Sequence, residues 1–384
     1  MENAPIVVVG SGMAGITVIR EFRKLDQNTP VVLITEDDGC HYSKPMISNA
    51  LMAGKRPGDL VLSTKEALVD QMHVVIHANT RAEHIMPDAH LLGTSKGYMP
   101  YRKLILALGA TPLRLPLQGE GVHNVLSVNN LIDYVRWTGK LTPGQDIAII
   151  GAGLVGCEFA CDLAATGHHV RVFDIAPQPL YHLLPPQAAD FFRKKLAAGI
   201  SFSLGCRIIR IDQDGDAYTL VDDIGSTHRA HLVLSAVGLV PSTGLARDAG
   251  LATRCGIIAD RTLRTSDPDI FTLGDCAEVE GMVLPYVMPI MQAARSIAAS
   301  LASIPPVPGA PLYPAMPIVV KTPACPAVVC LPPLGKGGDW HETATPEGFR
   351  AIFEDDSGRM SGFALVGDAV QEKQELLPKI PAWL

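Results

Sequence analysis

The sequence predicts an α/β fold made of two successive copies of one strand–glycine turn–helix–strand unit, closed by a small α+β domain. Three observations carry this prediction. A continuous β-branched run, Ile6-Val7-Val8-Val9, opens directly into Gly10-x-Gly12-x-x-Gly15. The pattern returns as Asp146-Ile147-Ala148-Ile149-Ile150 followed by Gly151-x-Gly153-x-x-Gly156, with Gly151 lying 141 positions after Gly10. Beyond a proline-rich stretch at 304–311, the tail changes to short strand-like runs.

A chain of 384 residues is too long for one ordinary domain and suggests two or three. With 47% hydrophobic and 18% charged residues it is not a disordered chain, and a net charge of −7 argues against a general nucleic-acid binder. The N-terminus enters a strand at once, without a basic region and apolar block, and no apolar run reaches the length of a spanning helix, so neither export nor membrane insertion is expected. The eight cysteines form no paired CxxC motif and no zinc spacing. Their mostly apolar contexts predict buried thiols, no metal site and a cytoplasmic location.

In the first unit, Ile6 to Val9 has the composition of a strand covered on both faces. A helix follows through about Lys24, then a strand from Val31 to Thr35, completing a βαβ motif. Leu104 to Gly109 is a further buried strand. The second unit repeats this with Asp146 to Ile150, a helix, Val170 to Phe173, and a closing strand at Leu232 to Gly238. Ile270 to Asp275 predicts a short strand ending in Gly-Asp, and a helix is expected after Pro289, through Met291 to Leu301. Prolines 305, 306, 308, 311 and 314 mark a linker. The tail has strand-like runs at Ile318 to Val320, Ala327 to Leu331, Phe349 to Phe353 and Gly362 to Val366. The expected domains are 1–112 with 243–305, 113–242, and 306–384.

Both glycine patterns are Rossmann-like dinucleotide fingerprints. The first glycine allows the tight turn, the second lets a pyrophosphate approach the backbone, and the third lets helix and strand pack closely. The helix N-terminus then presents free N–H groups to the phosphates, with Met13 and Ala14 in its opening turn. Thr35 and Glu36 end the next strand of the first unit, and Glu36, 21 residues past Gly15, is placed to accept hydrogen bonds from ribose hydroxyls. In the second unit Asp174 stands 18 residues after Gly156. A carboxylate there favours the 2′-hydroxyl of NADH and repels the phosphate of NADPH, and Ile175-Ala176-Pro177 supplies no cation to offset it.

Two fingerprints and a late Gly-Asp strand resemble the two-dinucleotide flavoproteins of the glutathione-reductase type. The resemblance implies FAD in the first unit and NADH in the second. Thr265 to Asp275 is similar to that family's second FAD motif, which assigns Asp275 to the ribityl or pyrophosphate part of FAD. Ala107 to Pro112 and Ala236 to Pro241, the latter containing Gly238, look like the crossovers that end the nucleotide domains. The disulfide branch carries a CxxxxC pair after the first fingerprint; here Cys40-His41-Tyr42-Ser43-Lys44-Pro45-Met46 has one cysteine. The chain therefore resembles the ferredoxin-reductase-like branch, with flavin as sole redox centre.

Within that branch, Ser43-Lys44-Pro45-Met46, Gly151 to Phe159, Gly274 to Val279, Tyr286 to Pro289 and Lys321 to Pro326 are similar to rubredoxin reductases of hydrocarbon-degrading bacteria. That family takes electrons from NADH through FAD to rubredoxin, which supplies an alkane hydroxylase. The resemblance implies hydride transfer from nicotinamide to flavin without a protein base or nucleophile. It places Lys44 near the flavin, Glu158 at the flavin–nicotinamide junction, Val287 at a helix N-terminus facing the flavin, and Lys321 reaching in from the tail. It gives Arg81 a backbone contact with adenine. An acidic rubredoxin would dock on basic residues, for which Arg102, Lys103, Arg295 and Lys336 are candidates. The alternatives are an NADH oxidase or peroxidase using Cys40, a ferredoxin reductase, and a protein with a structural or sensory flavin.

Overall fold

The computed structural model describes residues 4–304 and 313–383. The expected linker prolines 305, 306, 308 and 311 lie outside the described residues.

The first glycine-bearing strand, Ile6–Val9, is buried on both faces and sits centrally in a five-stranded parallel sheet. The order across this sheet is Ile270–Thr272, Lys103–Leu106, Ile6–Val9, Val31–Ile34, Val75–His77. Its β-branched and aliphatic composition suits a sheet covered on both sides. The second glycine-bearing strand, Asp146–Ile150, is likewise central, in a four-stranded parallel sheet ordered Ile200–Leu204, His169–Asp174, Asp146–Ile150, Leu232–Ser235. Helices Met13–Arg23 and Leu154–Ala165 follow the respective turns, each with its N-cap at the middle glycine. The strand 270–272, far along the chain, thus joins the first sheet beside 103–106.

The two sheets are linked where the chain passes between them. Ala110–Pro112 and Leu239–Pro241 pair antiparallel, Ala110 opposite Pro241. Leu113 N–H donates to the Gly238 carbonyl and Ser242 N–H to the Gly109 carbonyl, each at 3.0 Å, extending the ladder at either end.

The tail is a five-stranded antiparallel sheet ordered Ile318–Val320, Ala327–Cys330, Met360–Gly367, Gly348–Asp355, Gly338–Thr345. Its helical content among the described residues is short, the longest α-helix being Lys373–Leu376. Gly338–Thr345 was not anticipated, because its alternation is of polar residues at an exposed edge. One hydrophobic cluster joins the tail to the second unit and to the 44–60 region: Ile47 and Leu60 pack with Phe159, Cys161, Val320 and Ala327. Helix Val287–Leu301 begins three residues before the expected start. Pro289 therefore occupies its first turn, where a missing N–H costs no hydrogen bond. Among the described residues no helix is long and apolar enough to cross a membrane.

Candidate functional site: one cleft between two glycine turns

Both glycine turns open into a single cleft of about 2060 Å³. That is roughly twice the upper range for one drug-sized ligand, which leaves room for two dinucleotides. The glycines divide into the same two roles in each turn. A Cβ on Gly15 would collide with the Gly10 carbonyl, and one on Gly156 with the Gly151 carbonyl. A Cβ on Gly10 would strike the Ala107 carbonyl, and Gly10 and Gly151 both hold φ near +110°. Gly12 and Gly153 meet nothing within 4 Å and line the cleft. A side chain there would occupy only ligand space, so these two positions fit a pyrophosphate at each turn. Met13 and Ala14 line the same wall, and Gly274, at φ +80°, lies close against Ala14, so that Asp275 faces the first turn.

Thr35 is buried beneath this turn, where its hydroxyl shares a 2.7 Å hydrogen bond with Ser11. Glu36 is exposed and pairs with the Arg81 guanidinium at 3.3 Å. Arg81 N–H donates to Ser95 Oγ at 3.1 Å and its carbonyl accepts from Ser95 N–H at 2.9 Å. The pairing of Ala82 with Thr94 sets Ser95 beside Arg81. In the second unit, Asp174 Oδ2 accepts from Ala152 N–H at 2.5 Å and Oδ1 from Ala176 N–H at 2.8 Å. The carboxylate thus anchors the glycine turn while lining the cleft. Gly238, at φ +108°, lines the wall between the units.

The deepest part of the site is built from three distant chain segments. The Lys44–Asn49 turn brings Lys44, Pro45 and Ser48 to the cleft; helix Leu154–Ala165 brings Glu158; and the end of strand Ile318–Val320 brings Lys321. Ser48 Oγ donates to Glu158 Oε2 at 2.5 Å. Lys321 Nζ lies 2.9 Å from Glu158 Oε2, and donates to Ser48 Oγ and Asn49 Oδ1, each at 3.1 Å, and to the Pro45 carbonyl. Lys44 stands 4.0 Å from Asp275. Burial lowers its pKa, and Asp275 and Asp133 work against that shift. The first-turn N–H groups of helix Val287–Leu301 have no side-chain cap, and Val287 and Met288 line the cleft at their positive dipole end.

All eight cysteines are free. Cys40 does not line the cleft, and burial pushes its thiol above the usual range. Cys325 and Cys330 are both buried and unbridged. Of the docking candidates, Lys103 pairs with Asp269, Lys336 with Asp355 and Arg295 with Glu21. Sequence reasoning missed Ser48, Asn49 and Asp162, whose partners lie more than 100 positions away and give no local signal.

The model of the pyridine nucleotide-disulphide oxidoreductase family matches residues 4–298, which takes in both turns and all of the cleft's lining except the part from the tail. The chain belongs to the pyridine nucleotide-disulphide oxidoreductase family. A second model, the rubredoxin binding C-terminal domain, matches residues 312–380. This oxidoreductase is 41% identical to a rubredoxin-NAD(+) reductase of Alcanivorax borkumensis, across 98% of this chain and 99% of that protein. It is 42% identical to one of Acinetobacter baylyi, across 98% and 97%. At 33% identity it is similar to a nitric oxide reductase FlRd-NAD(+) reductase of Vibrio vulnificus, across 98% of each. Among solved structures, the putidaredoxin reductase–putidaredoxin complex superposes with a TM-score of 0.88 at 24% identity, across 99% of this chain and 94% of that one, a likeness of fold.

Proposed function

We propose that this chain is an NADH-dependent flavoprotein reductase that passes electrons from NADH through FAD to rubredoxin. The observation that carries this reading is the single cleft that both glycine turns enter and that Lys321 closes from the tail. The match of that tail to a rubredoxin-binding domain, and the two relatives named rubredoxin-NAD(+) reductase, support the acceptor.

When bound, FAD supplies the acceptor for the NADH hydride and the donor of single electrons. The residues around it bind and orient. Residues 1–112 with 243–305 form the FAD-binding domain, 113–242 the NAD-binding domain and 306–384 the acceptor domain. Support for this division comes from strand 270–272 lying in the first sheet and from the paired crossovers. Gly10, Gly12, Met13, Ala14 and Gly15 hold the FAD pyrophosphate, with Thr35 and Glu36 toward the ribose and Asp275 on the far side. Gly151, Gly153, Gly156 and Gly238 shape the nicotinamide nucleotide site, and Asp174 takes the adenosine ribose. Lys44 with Pro45, Val287, Glu158 and Lys321 place a cation, a helix N-terminus and a buried ion pair where the reacting rings meet. A cytoplasmic location accords with eight unpaired thiols. The rubredoxin so reduced feeds an alkane hydroxylase, a step supported by resemblance alone.

A rapid-mixing experiment tests the reading. The purified flavoprotein should bleach on mixing with NADH and recolour on adding oxidised rubredoxin, faster than on adding oxygen. Failure to take up FAD, or recolouring by oxygen at the same rate, overturns it. The oxidase alternative has little support, since Cys40 is outside the cleft.

A further inference from the structure

Helix Leu154–Ala165 carries two buried carboxylates one turn apart, and only one reaches the cleft. Glu158 lines it; Asp162 does not. Asp162 Oδ1 accepts from Met52 N–H at 2.8 Å and Oδ2 from Leu51 N–H at 3.1 Å. Only Ala50 separates these amides from the Lys44–Asn49 turn, which carries Lys44, Pro45 and Ser48.

We propose that Asp162 is a positioning residue: by holding the Leu51 and Met52 amides it fixes the Lys44–Asn49 turn on the second unit's helix, and with it Lys44 and the Ser48–Glu158–Lys321 contacts in the cleft. The proposal deepens the function given above and rests on it.

The chemistry of the contact supports this. A carboxylate accepts through both oxygens at once, whereas an amide offers one acceptor and one donor. Two N–H groups presented side by side therefore select an acid. The choice is expensive, because Asp162 is wholly buried and no ion pair to it occurs among the described residues. Burial pushes its carboxyl up to about 6, partly offset by the two backbone N–H groups and by Lys321, with Glu158 adding to the rise. Tyr134, on the adjacent helix Leu131–Thr138, faces it with a buried hydroxyl that has no partner. Cys161 is its neighbour on its own helix. The turn it holds packs against the second unit: Ile47 and Ala50 belong to the same core cluster as Cys157 and Phe159.

The test uses the FAD-loaded full chain and Asp162→Asn, with Asp162→Ala as the second variant. Replacing the acid sets an NH2 group against one backbone N–H, so the turn shifts. The limiting rate of flavin reduction by NADH should fall by about tenfold to a hundredfold, the scale of an ångström-level misplacement. The Kd for NADH should stay within about twofold while the flavin absorption envelope changes. In the parent, protonating Asp162 puts an O–H where an N–H must be accepted, so the limiting rate should decline below about pH 6. That decline should vanish in Asp162→Asn.

A variant with a lowered melting temperature but the parent's limiting rate, flavin envelope and pH profile overturns the proposal. So does a parent rate that is flat from pH 5 to 7, which decides the matter even if neither variant folds. A parent flavin that NADH does not reduce defeats the function proposed above instead, and the two failures are thereby told apart.

Discussion

Glu158 holds Lys321 at both ends: Oε1 accepts the Lys321 backbone N–H at 2.8 Å and Oε2 lies 2.9 Å from its ammonium, though the residues are 163 positions apart. The two partners are unequally buried, the Glu158 side chain 2% exposed and that of Lys321 38%. Removing the cation strands a buried carboxylate, so Lys321→Met should cost about 3–5 kcal/mol. Glu158→Gln keeps an acceptor for the backbone N–H, and Lys321 keeps oxygens from Pro45, Ser48 and Asn49. That change should cost only about 1–2 kcal/mol. Urea unfolding of both variants measures the order, and a larger loss for Glu158→Gln would contradict it.

The glycine turns predict a separation of folding from binding. Gly12→Ala meets no protein atom within 4 Å, so its melting temperature should match the parent's while flavin content after purification falls sharply. Gly15→Ala drives a Cβ into the Gly10 carbonyl, so it should lower stability whether or not FAD is present. Calorimetry on the flavin-free proteins separates them.

Asp174 serves both the cofactor and the turn, which makes its substitutions asymmetric. Asp174→Ala should raise the KM for NADH, because the Ala152 amide loses its acceptor as the ribose loses its partner. Adding Ile175→Arg, at a position 64% exposed, supplies a cation for a 2′-phosphate. The double variant should shift the ratio of kcat/KM toward NADPH by at least about tenfold, equivalent to about 1.4 kcal/mol. Steady-state kinetics with both nucleotides checks it.

The tail should contain an acid-sensitive contact. The Ser357 hydroxyl and the Arg359 amide, with Lys336 behind them, hold the Asp355 carboxyl well below its ordinary 3.8. A carboxyl lowered by folding stabilises the fold above its ordinary value, and that contribution disappears as pH falls through the lowered one. Asp355→Asn should therefore be less stable than the parent at pH 7 and nearly equal to it well below pH 3. Urea midpoints across that range test the convergence. The same pairing means that Lys336→Ala should weaken the tail itself, whatever it does to docking.

How much was legible in the sequence follows from range. Both central strands and both turns were readable, since a β-branched run and three spaced glycines state their geometry within a dozen residues. Helix Val287–Leu301 was placed three residues late because Pro289 was read as preceding it, whereas it is the third residue of the helix. Gly338–Thr345 escaped because an edge strand with polar residues carries no burial pattern. Lys321 and Glu158 were assigned by resemblance; their mutual contact, and the roles of Ser48 and Asp162, depend on chain segments meeting in space. The Arg81–Glu36 ion pair likewise joins residues 45 positions apart that no local motif links.

The short antiparallel ladder between Ala110–Pro112 and Leu239–Pro241 contains both passages of the chain between the two parallel sheets. Those passages run side by side, so a change in either one is carried to both sheets at once through the hydrogen bonds of this ribbon.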